Sequence, residues 1–411
     1  MEAGIGLPAA VLNDYTERSY KFQGRVMAQL QIEANQAELP RAMPAWVYDH
    51  PEVARLEYER VLLPSWQILC HVNAIPKTGD YATLDLGRDS ILATRAADGS
   101  IRAFHNVCRH RAARLVEGSG SCGALIRCPY HGWSYGLDGS LRGVPVRESF
   151  PGLDTAGLGL KPVRTELFLG FVWVAVTGDP PPLAEAWAPF LEDFAPYQFE
   201  ALEPFGPVYQ EDWNVDWKVA MDNYLESYHV PVGHPGLNRM FTADYIGMAM
   251  LPSGVARGVG YMKDRPSPRW TEQQYQKWAP EIATALPDAE RRCWRYYSML
   301  PNLGIDVFPD QMDFFQVLPR GPGKCTIRSA TFALPDDRRE MKLLRYMNAR
   351  INRDVMREDE FLCKRVQQGL FSRGYEPGPL SETEVCMRQF HDLLRKQIPE
   401  MALDQAPATF A

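Results

Sequence analysis

Two short segments of the sequence carry one cysteine and one histidine each. Cys108 and His110 are separated by one residue, and Cys128 and His131, separated by two, follow after seventeen further residues. A two-iron cluster with two thiolates on one iron and two imidazoles on the other needs this donor set. Tetrahedral zinc also accepts two cysteines and two histidines, but zinc fingers usually pair like with like. The mixed pairs therefore favour an iron–sulfur cluster, with structural zinc as the alternative.

A second group of metal-binding residue types lies about a hundred residues later. Asn223, Glu226 and His229 are spaced by three, which predicts one shared face of a helix. Pro231 should end that helix and allow the chain to bring His234 back towards His229. Two imidazoles at this spacing can supply two corners of a 2-His-1-carboxylate site, which binds Fe(II) and leaves coordination positions open. A pair of structural histidines is the alternative for this spacing alone.

The residues flanking both cysteine–histidine pairs, and the segment NYLESYH followed by His234, resemble the Rieske non-haem iron oxygenases. The resemblance spans about residues 45–395 and is nearest to the large (alpha) subunits of the carnitine and glycine-betaine (quaternary ammonium) branch and of the ring-hydroxylating branch. It implies a Rieske [2Fe–2S] cluster and a mononuclear Fe(II). The implied cluster ligands are Cys108, His110, Cys128 and His131.

The carboxylate that completes the mononuclear site is expected from the helix over residues 357–369. The resembled family has an Asp ten residues before a Gly that follows a Gln, and this register selects Asp359 as the ligand beside His229 and His234. Its neighbours Glu358 and Glu360 point about 100° away on either side. Glu358 is the second choice, and a solvated acidic helix face is the structural alternative.

Glu226 and Asn223 are expected to act at the catalytic site. In the resembled family an acidic residue three positions before the first iron histidine connects the site to a Rieske histidine of the neighbouring subunit, here His131. The alternative is a carboxylate that orients His229 within one chain. The resemblance also implies a homotrimer, because the two metal sites of one chain are too far apart for direct electron transfer.

The distribution of residue types along the sequence predicts three segments and an α+β fold. Residues 1–63 are expected to form N-terminal helices that pack on the catalytic domain, with Asp49 capping the helix that starts at Pro51. Residues 64–180 read as short strands separated by Asp-Gly turns, which predicts a small all-β Rieske domain. Residues 181–411 are expected to form the catalytic domain, an antiparallel sheet flanked by helices in a helix-grip-like arrangement.

Composition limits the partners and the compartment. The net charge of −7 argues against nucleic acid, and no apolar run is long enough to span a membrane. The eight cysteines show no disulfide pattern and the N-terminus has no signal peptide, which favours the cytoplasm. No dinucleotide-binding fingerprint occurs, so electrons must come from a separate NAD(P)H-dependent reductase with flavin and iron–sulfur groups. Arg109, Arg111 and Arg114 either dock that donor or are ordinary solvated side chains.

Three functions are compatible with these motifs. The first is O2-dependent hydroxylation of an N-methylated ammonium compound or betaine with C–N cleavage, which Glu226 and the helix over residues 358–370 favour by resemblance. Arg257 or Arg295 would then hold the substrate's carboxylate, and aromatic side chains its cation. The second is ring hydroxylation or O-demethylation of an aromatic acid. The third, a Rieske electron carrier without its own chemistry, does not require the second metal site.

Overall fold

The computed structural model describes residues 39–242 and 249–410. The helix and connector expected over residues 1–45 therefore lie almost wholly outside the described residues. Helix α1, Pro51–Glu57, continues as a π-helical turn, Tyr58–Leu62.

The expectation that Asp49 caps helix α1 is wrong. His50 is the N-cap, and its Nδ1 accepts a hydrogen bond from the main-chain nitrogen of Glu52 at 3.2 Å. The cause is Pro51, which restricts the preceding residue to extended backbone and so makes His50 the last non-helical position.

Residues 67–175 are built on β-strands without an α-helix, as predicted. Seven antiparallel strands form one sheet in the order β1-β10-β9-β4-β3-β2-β5, and three form a small second sheet, β6-β7-β8. The strands are β1 Gln67–His71, β2 Asp80–Leu86, β3 Asp89–Arg95, β4 Ile101–His105, β5 Ser119–Ser121, β6 Leu125–Arg127, β7 Ser134–Gly136, β8 Leu141–Gly143, β9 Pro162–Phe168 and β10 Phe171–Ala175. Cys108 follows β4 and Cys128 follows β6, so both pairs lie on loops at strand ends.

The second half has the predicted antiparallel sheet with flanking helices, which confirms the α+β class. Its strands are β11 Glu203–Pro204, β12 Tyr209–Trp213, β13 Ala249–Met250, β14 Val255–Tyr261, β15 Cys293–Met299, β16 Leu303–Val307, β17 Met312–Pro319 and β18 Cys325–Ala333. Strands β14 to β18 pair in chain order. The helices are α2 Leu183–Trp187, α3 Leu191–Phe194, α4 Trp217–Tyr224, α5 Val230–Gly233, α6 Pro235–Met240, α7 Trp270–Ile282, α8 Arg339–Leu370 and α9 Val385–Gln397.

Helix α8 carries the catalytic half's longest apolar stripe. Its buried positions include Leu344 and Ile351 in the first half and Cys363 and Leu370 in the second, and the seven-residue separation within each pair keeps its two members on one face. That face packs against α4, α5 and α7. Among the described residues no helix is long and apolar enough to cross a lipid bilayer.

A buried polar network joins the two halves. Gln67 on β1 donates to Asn302 at 3.1 Å and accepts from Gln316 on β17 at 3.2 Å. Arg328 on β18 donates to the carbonyls of the two residues that follow Gln67, at 3.2 and 2.6 Å. All four side chains are buried, so the strand that opens the first sheet is fixed to the second sheet by bonds that water does not compete for.

Candidate active site

The two cysteine loops have the same main-chain geometry. The nitrogen of Cys108 donates to the carbonyl of Ala113, and that of Cys128 to Trp133, each at 2.8 Å. The residues before these acceptors, Ala112 and Gly132, have φ of 57° and 73° and donate back to the cysteine carbonyls. Each loop is thus a tight left-handed turn that aims a cysteine inwards.

The donor atoms of these loops divide into an inner and an outer pair. Cys108 and Cys128 are buried, whereas the ring of His131 is exposed and stands 4.7 Å from that of His110. His110 stacks on Trp133 with ring centroids 4.9 Å apart, and its Nδ1 is buried without a hydrogen-bond partner. A cluster iron bound to Nδ1 would provide that missing partner, and two inner thiolates with two outer imidazoles fit the Rieske donor set.

The segment that carries the second site differs from the predicted single helix. Helix α4 ends at Tyr224, so Glu226 and His229 lie in a turn, not on a helix face shared with Asn223. Pro231 does not end a helix but lies in the first turn of α5, where its missing N–H removes no hydrogen bond. The turn still brings His229 and His234 together, with ring centroids 5.0 Å apart.

Gly233 fixes α5 against α8. A Cβ at this position would lie 2.7 Å from Cδ1 of Leu362 and 3.3 Å from the ring of His229. A side chain here would displace the end of Leu362 and crowd the ring of His229, so glycine favours this close approach of α5 to the acidic segment of α8.

The structure brings His229, His234 and Asp359 into one group whose ligand atoms lie within 4.8 Å of one another. Oδ1 of Asp359 is 2.9 Å from Nε2 of His234 and 3.9 Å from Nε2 of His229. Asn223 donates its side-chain nitrogen to the same oxygen at 2.6 Å. Two imidazole nitrogens and one carboxylate oxygen converging in this way fit a 2-His-1-carboxylate iron site.

Two further carboxylates lie behind the imidazoles. Glu226 accepts from the main-chain nitrogen of His229 at 3.1 Å and also contacts its Nδ1, and Oε2 of Glu358 lies 2.8 Å from Nδ1 of His234. Glu360 instead pairs with Lys364. Burial lowers the pKa of His234, but Asp359 and Glu358 outweigh it and raise that pKa to about 8. The negative surroundings suit a cation between the Nε2 atoms.

A cavity of about 580 Å³ shares its wall with this group. Its lining includes the aromatic residues Tyr209, Trp213, Tyr224, Phe241, Tyr296, Phe314 and Phe315.

The arginines expected to bind a substrate carboxylate are engaged elsewhere. Arg257 pairs with Asp193 at 2.7 Å and Arg295 with Glu290 at 2.6 Å, and neither lines the cavity.

Two residues that sequence reasoning missed, Asp306 and Asp313, also line the cavity. The available signal was an aspartate inside each of two mainly apolar strands, β16 and β17. An acidic residue at such a position either has a buried partner or faces a cavity.

The arginines beside the first cysteine are partly engaged. Arg114 pairs with Asp85 at 2.9 Å, and the guanidinium of Arg111 lies 5.4 Å from the ring centroid of Tyr130. Both arginines are exposed.

Comparison with known families gives two matches. Residues 65–157 match the model of the Rieske [2Fe-2S] domain, and residues 199–400 match that of the ring hydroxylating alpha subunit (catalytic domain). The chloroplastic choline monooxygenase of Beta vulgaris is 29% identical over 364 residues, which are 86% of this chain and 76% of that protein. The glycine betaine monooxygenase oxygenase subunit of Chromohalobacter salexigens is 28% identical over 370 residues, 83% of this chain and 82% of that one.

The fold matches solved structures over nearly their whole length. The quaternary ammonium Rieske monooxygenase CntA in complex with L-carnitine aligns with a TM-score of 0.72 at 22% identity, covering 87% of this chain and 96% of that one. Naphthalene 1,2-dioxygenase from Rhodococcus sp. bound to indole aligns with a TM-score of 0.69 at 21% identity, covering 89% and 95%.

Proposed function

The chain belongs to the Rieske-type non-haem iron oxygenases, and from that premise we propose that it hydroxylates an N-methyl group of a quaternary ammonium compound or betaine. Its cofactors are a Rieske [2Fe–2S] cluster and a mononuclear iron, and it uses O2 with electrons supplied from outside. Hydroxylation of R–N(CH3)3+ consumes O2, two electrons and two protons and yields water and an N-hydroxymethyl cation. Loss of formaldehyde from that cation cleaves the C–N bond.

We assign residues 64–180 to the Rieske domain, 181–411 to the catalytic domain and 1–63 to an N-terminal extension. The proposed cluster ligands are Cys108, His110, Cys128 and His131. The proposed iron ligands are His229, His234 and Asp359. The buried thiolates, the unpartnered Nδ1 of His110 and the converging Nε2 atoms support this assignment.

The reduced iron supplies the O2-activating chemistry, and the protein side chains prepare its site. Glu226 and Glu358 hold the Nδ1 atoms of His229 and His234, which leaves both Nε2 atoms free to face a metal. Asn223 holds one oxygen of Asp359. The adjoining cavity has room for a small substrate beside these ligands.

The observation that carries this proposal is the aromatic-lined cavity that adjoins the three proposed iron ligands. Rings such as those of Tyr224, Tyr296 and Phe315 attract an ammonium cation by roughly 0.5–2 kcal/mol each. The names of the choline and glycine betaine monooxygenase relatives support the same substrate class. Exposed Arg353 and Arg357 also line the cavity and are the candidates to bind the carboxylate of a betaine.

Ring hydroxylation of an arene is the second candidate, favoured by the fold likeness to naphthalene 1,2-dioxygenase and by the same flat rings. An O-demethylase acting on an aromatic acid falls under the same candidate. Two partly buried aspartates that line the cavity, Asp306 and Asp313, disfavour an anionic arene, because like charges repel.

A substrate panel with a generic NADH-dependent reductase tests the proposal. Choline, glycine betaine and carnitine are compared with benzoate and neutral arenes. We expect NADH and O2 consumption, coupled to formaldehyde or a demethylated amine, only with the ammonium compounds. Coupled turnover of an arene with no response to any ammonium compound would refute the proposed substrate while leaving the oxygenase family intact.

We further propose a homotrimer, in which Glu226 lies near His131 of the adjacent subunit, and a separate flavin and iron–sulfur reductase that takes electrons from NAD(P)H. The exposed ring of His131 supports transfer at a subunit boundary. A cytoplasmic location fits eight cysteines that form no disulfide. Light scattering gives the assembly state, and NADH should bleach the cluster only when the reductase is added.

A further inference from the structure

Asp306 and Asp313 face each other across two strands at the wall of the cavity. They are directly opposed in the antiparallel register of β16 and β17, and both line the cavity. Like charges at directly opposed strand positions are destabilising. Two carboxylates at these opposed positions are therefore stable only if a cation lies beside them or if one of them is protonated.

The side chains that donate hydrogen bonds to this pair are neutral. Oδ1 of Asp306 accepts from the hydroxyl of Tyr224 at 2.7 Å, and Oδ1 of Asp313 accepts from Nε2 of Gln311 at 3.2 Å. Thr331 also bonds Asp313. In the part of the chain that the structure describes, neither carboxylate forms a salt bridge, in contrast to the buried pairs of Arg295 and Lys218 elsewhere.

Gln311 adds a third acceptor to the same wall. The residue is 6% exposed and lines the cavity, yet its Oε1 has no hydrogen-bond partner among the residues that the structure describes. Burial raises the pKa of Asp306 to about 8 and that of Asp313 to about 7, and nearby carboxylates add to both shifts. The wall thus presents carboxylate and amide oxygens that, among the described residues, form no ion pair with the arginines of the same cavity, Arg353 and Arg357.

The pair is linked to the iron site through consecutive residues. Tyr224, which donates to Asp306, directly follows Asn223, which donates to Asp359. The ring of Tyr224 meets Phe315 edge-on at 4.6 Å. A cation held at this wall would therefore touch aromatic rings and carboxylates together, close to the three proposed iron ligands.

We propose that Asp306 and Asp313 are the counter-charge for the substrate's ammonium group and determine the selectivity of the cavity for a cation. This inference rests on the proposed function, since it states how the same substrate is recognised. The carboxylates favour a positively charged head group over a neutral one. The aromatic rings contact the methyl groups and distinguish a trimethylammonium group only weakly from a neutral tert-butyl group.

The test compares cations with their neutral-headed isosteres on the intact holoenzyme. Choline is paired with 3,3-dimethylbutan-1-ol, and glycine betaine with 3,3-dimethylbutanoate, so that only the charge of the head group changes. Asp306→Asn and Asp313→Asn keep the shape and the accepted hydrogen bonds. Asp212→Asn is the matched control, because Asp212 lies on β12 of the same sheet but is 62% exposed and pairs with Arg320.

The wild type should bind each cation more tightly than its isostere by calorimetry. Each aspartate variant should lose roughly tenfold or more of that preference, because a charged hydrogen-bonding partner is worth more than a neutral one. The control should keep the preference. Cluster absorbance and the thermal midpoint verify folding, and should Asp306→Asn fail to fold, Asp313→Asn decides the question.

Unchanged preference in a folded Asp313→Asn protein overturns the inference, even where ammonium compounds are turned over. Equal binding of cation and isostere by the wild type overturns it as well. A wild type that prefers cations through these aspartates, yet oxidises only arenes, supports the cation selectivity of the cavity and refutes the proposed substrate. The two failures are therefore distinguishable.

Discussion

The three carboxylates around His229 and His234 are expected to differ in how strongly they affect iron binding. Asp359→Ala removes a proposed ligand, so the mononuclear iron should be lost while both irons of the cluster remain. Glu226→Gln and Glu358→Gln remove partners of the imidazole Nδ1 atoms. Such changes typically weaken metal binding about 10- to 100-fold, or about 1.4–2.7 kcal/mol.

Exposure and hydrogen bonding rank the two glutamates within that range. The side chain of Glu226 is 10% exposed and uses both oxygens on His229, so its loss should lie near the hundredfold end. Glu358 is 35% exposed and contacts His234 through one oxygen, so solvent screening should place it near tenfold. Glu360→Gln is the control, because Glu360 pairs with Lys364 on the same helix and contacts neither imidazole.

Anaerobic titration with Fe(II) against a chelator of known affinity measures these differences, and the visible absorbance of the cluster reports on the integrity of the fold. If Asp359→Ala retains the mononuclear iron and Glu358→Ala loses it, the assignment is wrong by one residue and Glu358 is the ligand. Unchanged iron affinity with abolished turnover in Glu226→Gln would instead indicate that this carboxylate acts between subunits.

Three further outcomes are expected. His131→Cys should shift the cluster's reduction potential strongly negative in a spectroelectrochemical titration, because a thiolate stabilises the oxidised state; an unchanged potential would exclude His131 as a ligand. Asp306 binds its proton more tightly in the folded protein, with a pKa of about 8, so stability should fall as the pH rises from about 4 to 8. Asp306→Asn should flatten that fall in the thermal midpoint, and an unaltered slope would contradict the burial argument. Gly233→Ala should destabilise the fold by about 1–3 kcal/mol and weaken iron binding through its clash with Leu362, whereas Gly374→Ala, in a turn without such a close contact, should not.

The sequence predicts most of the metal chemistry because ligand spacing is a local property. The loops that carry Cys108 and Cys128 each close within six residues, so the motif and the turn are the same segment. The register that selected Asp359 is supported by its 2.9 Å approach to His234. The ligand roles themselves stay predictions.

The errors arise where side chains from distant segments decide the structure. The spacing of Asn223, Glu226 and His229 imitates a helix, but the chain leaves the helix at Tyr224 and the contact of Gly233 with Leu362 sets its path. That contact joins residues far apart in sequence, which periodicity does not detect.

The cavity wall that carries Asp306 and Asp313 also depends on strand pairing and ion pairs that the sequence does not show. Asp306 and Asp313 are opposed only because of the register between β16 and β17. Arg257 forms an ion pair with Asp193, and Arg295 forms one with Glu290. A charged residue can bind a substrate only if no other residue of the fold forms an ion pair with it. Such ion pairs depend on tertiary contacts, which the sequence pattern does not show.

The network of Gln67, Asn302, Gln316 and Arg328 has a consequence for how electrons can be delivered. Arg328 is buried, and burial lowers the pKa of its guanidinium to about 10, so separating the two sheets would leave that charge without the β1 carbonyls. This network therefore fixes the cluster-binding sheet to the catalytic sheet and opposes a movement of the cluster towards the mononuclear site of the same chain. Under the proposed homotrimer, electrons pass between adjacent subunits, so dissociating that assembly should stop electron transfer to the mononuclear iron while both metal centres stay intact.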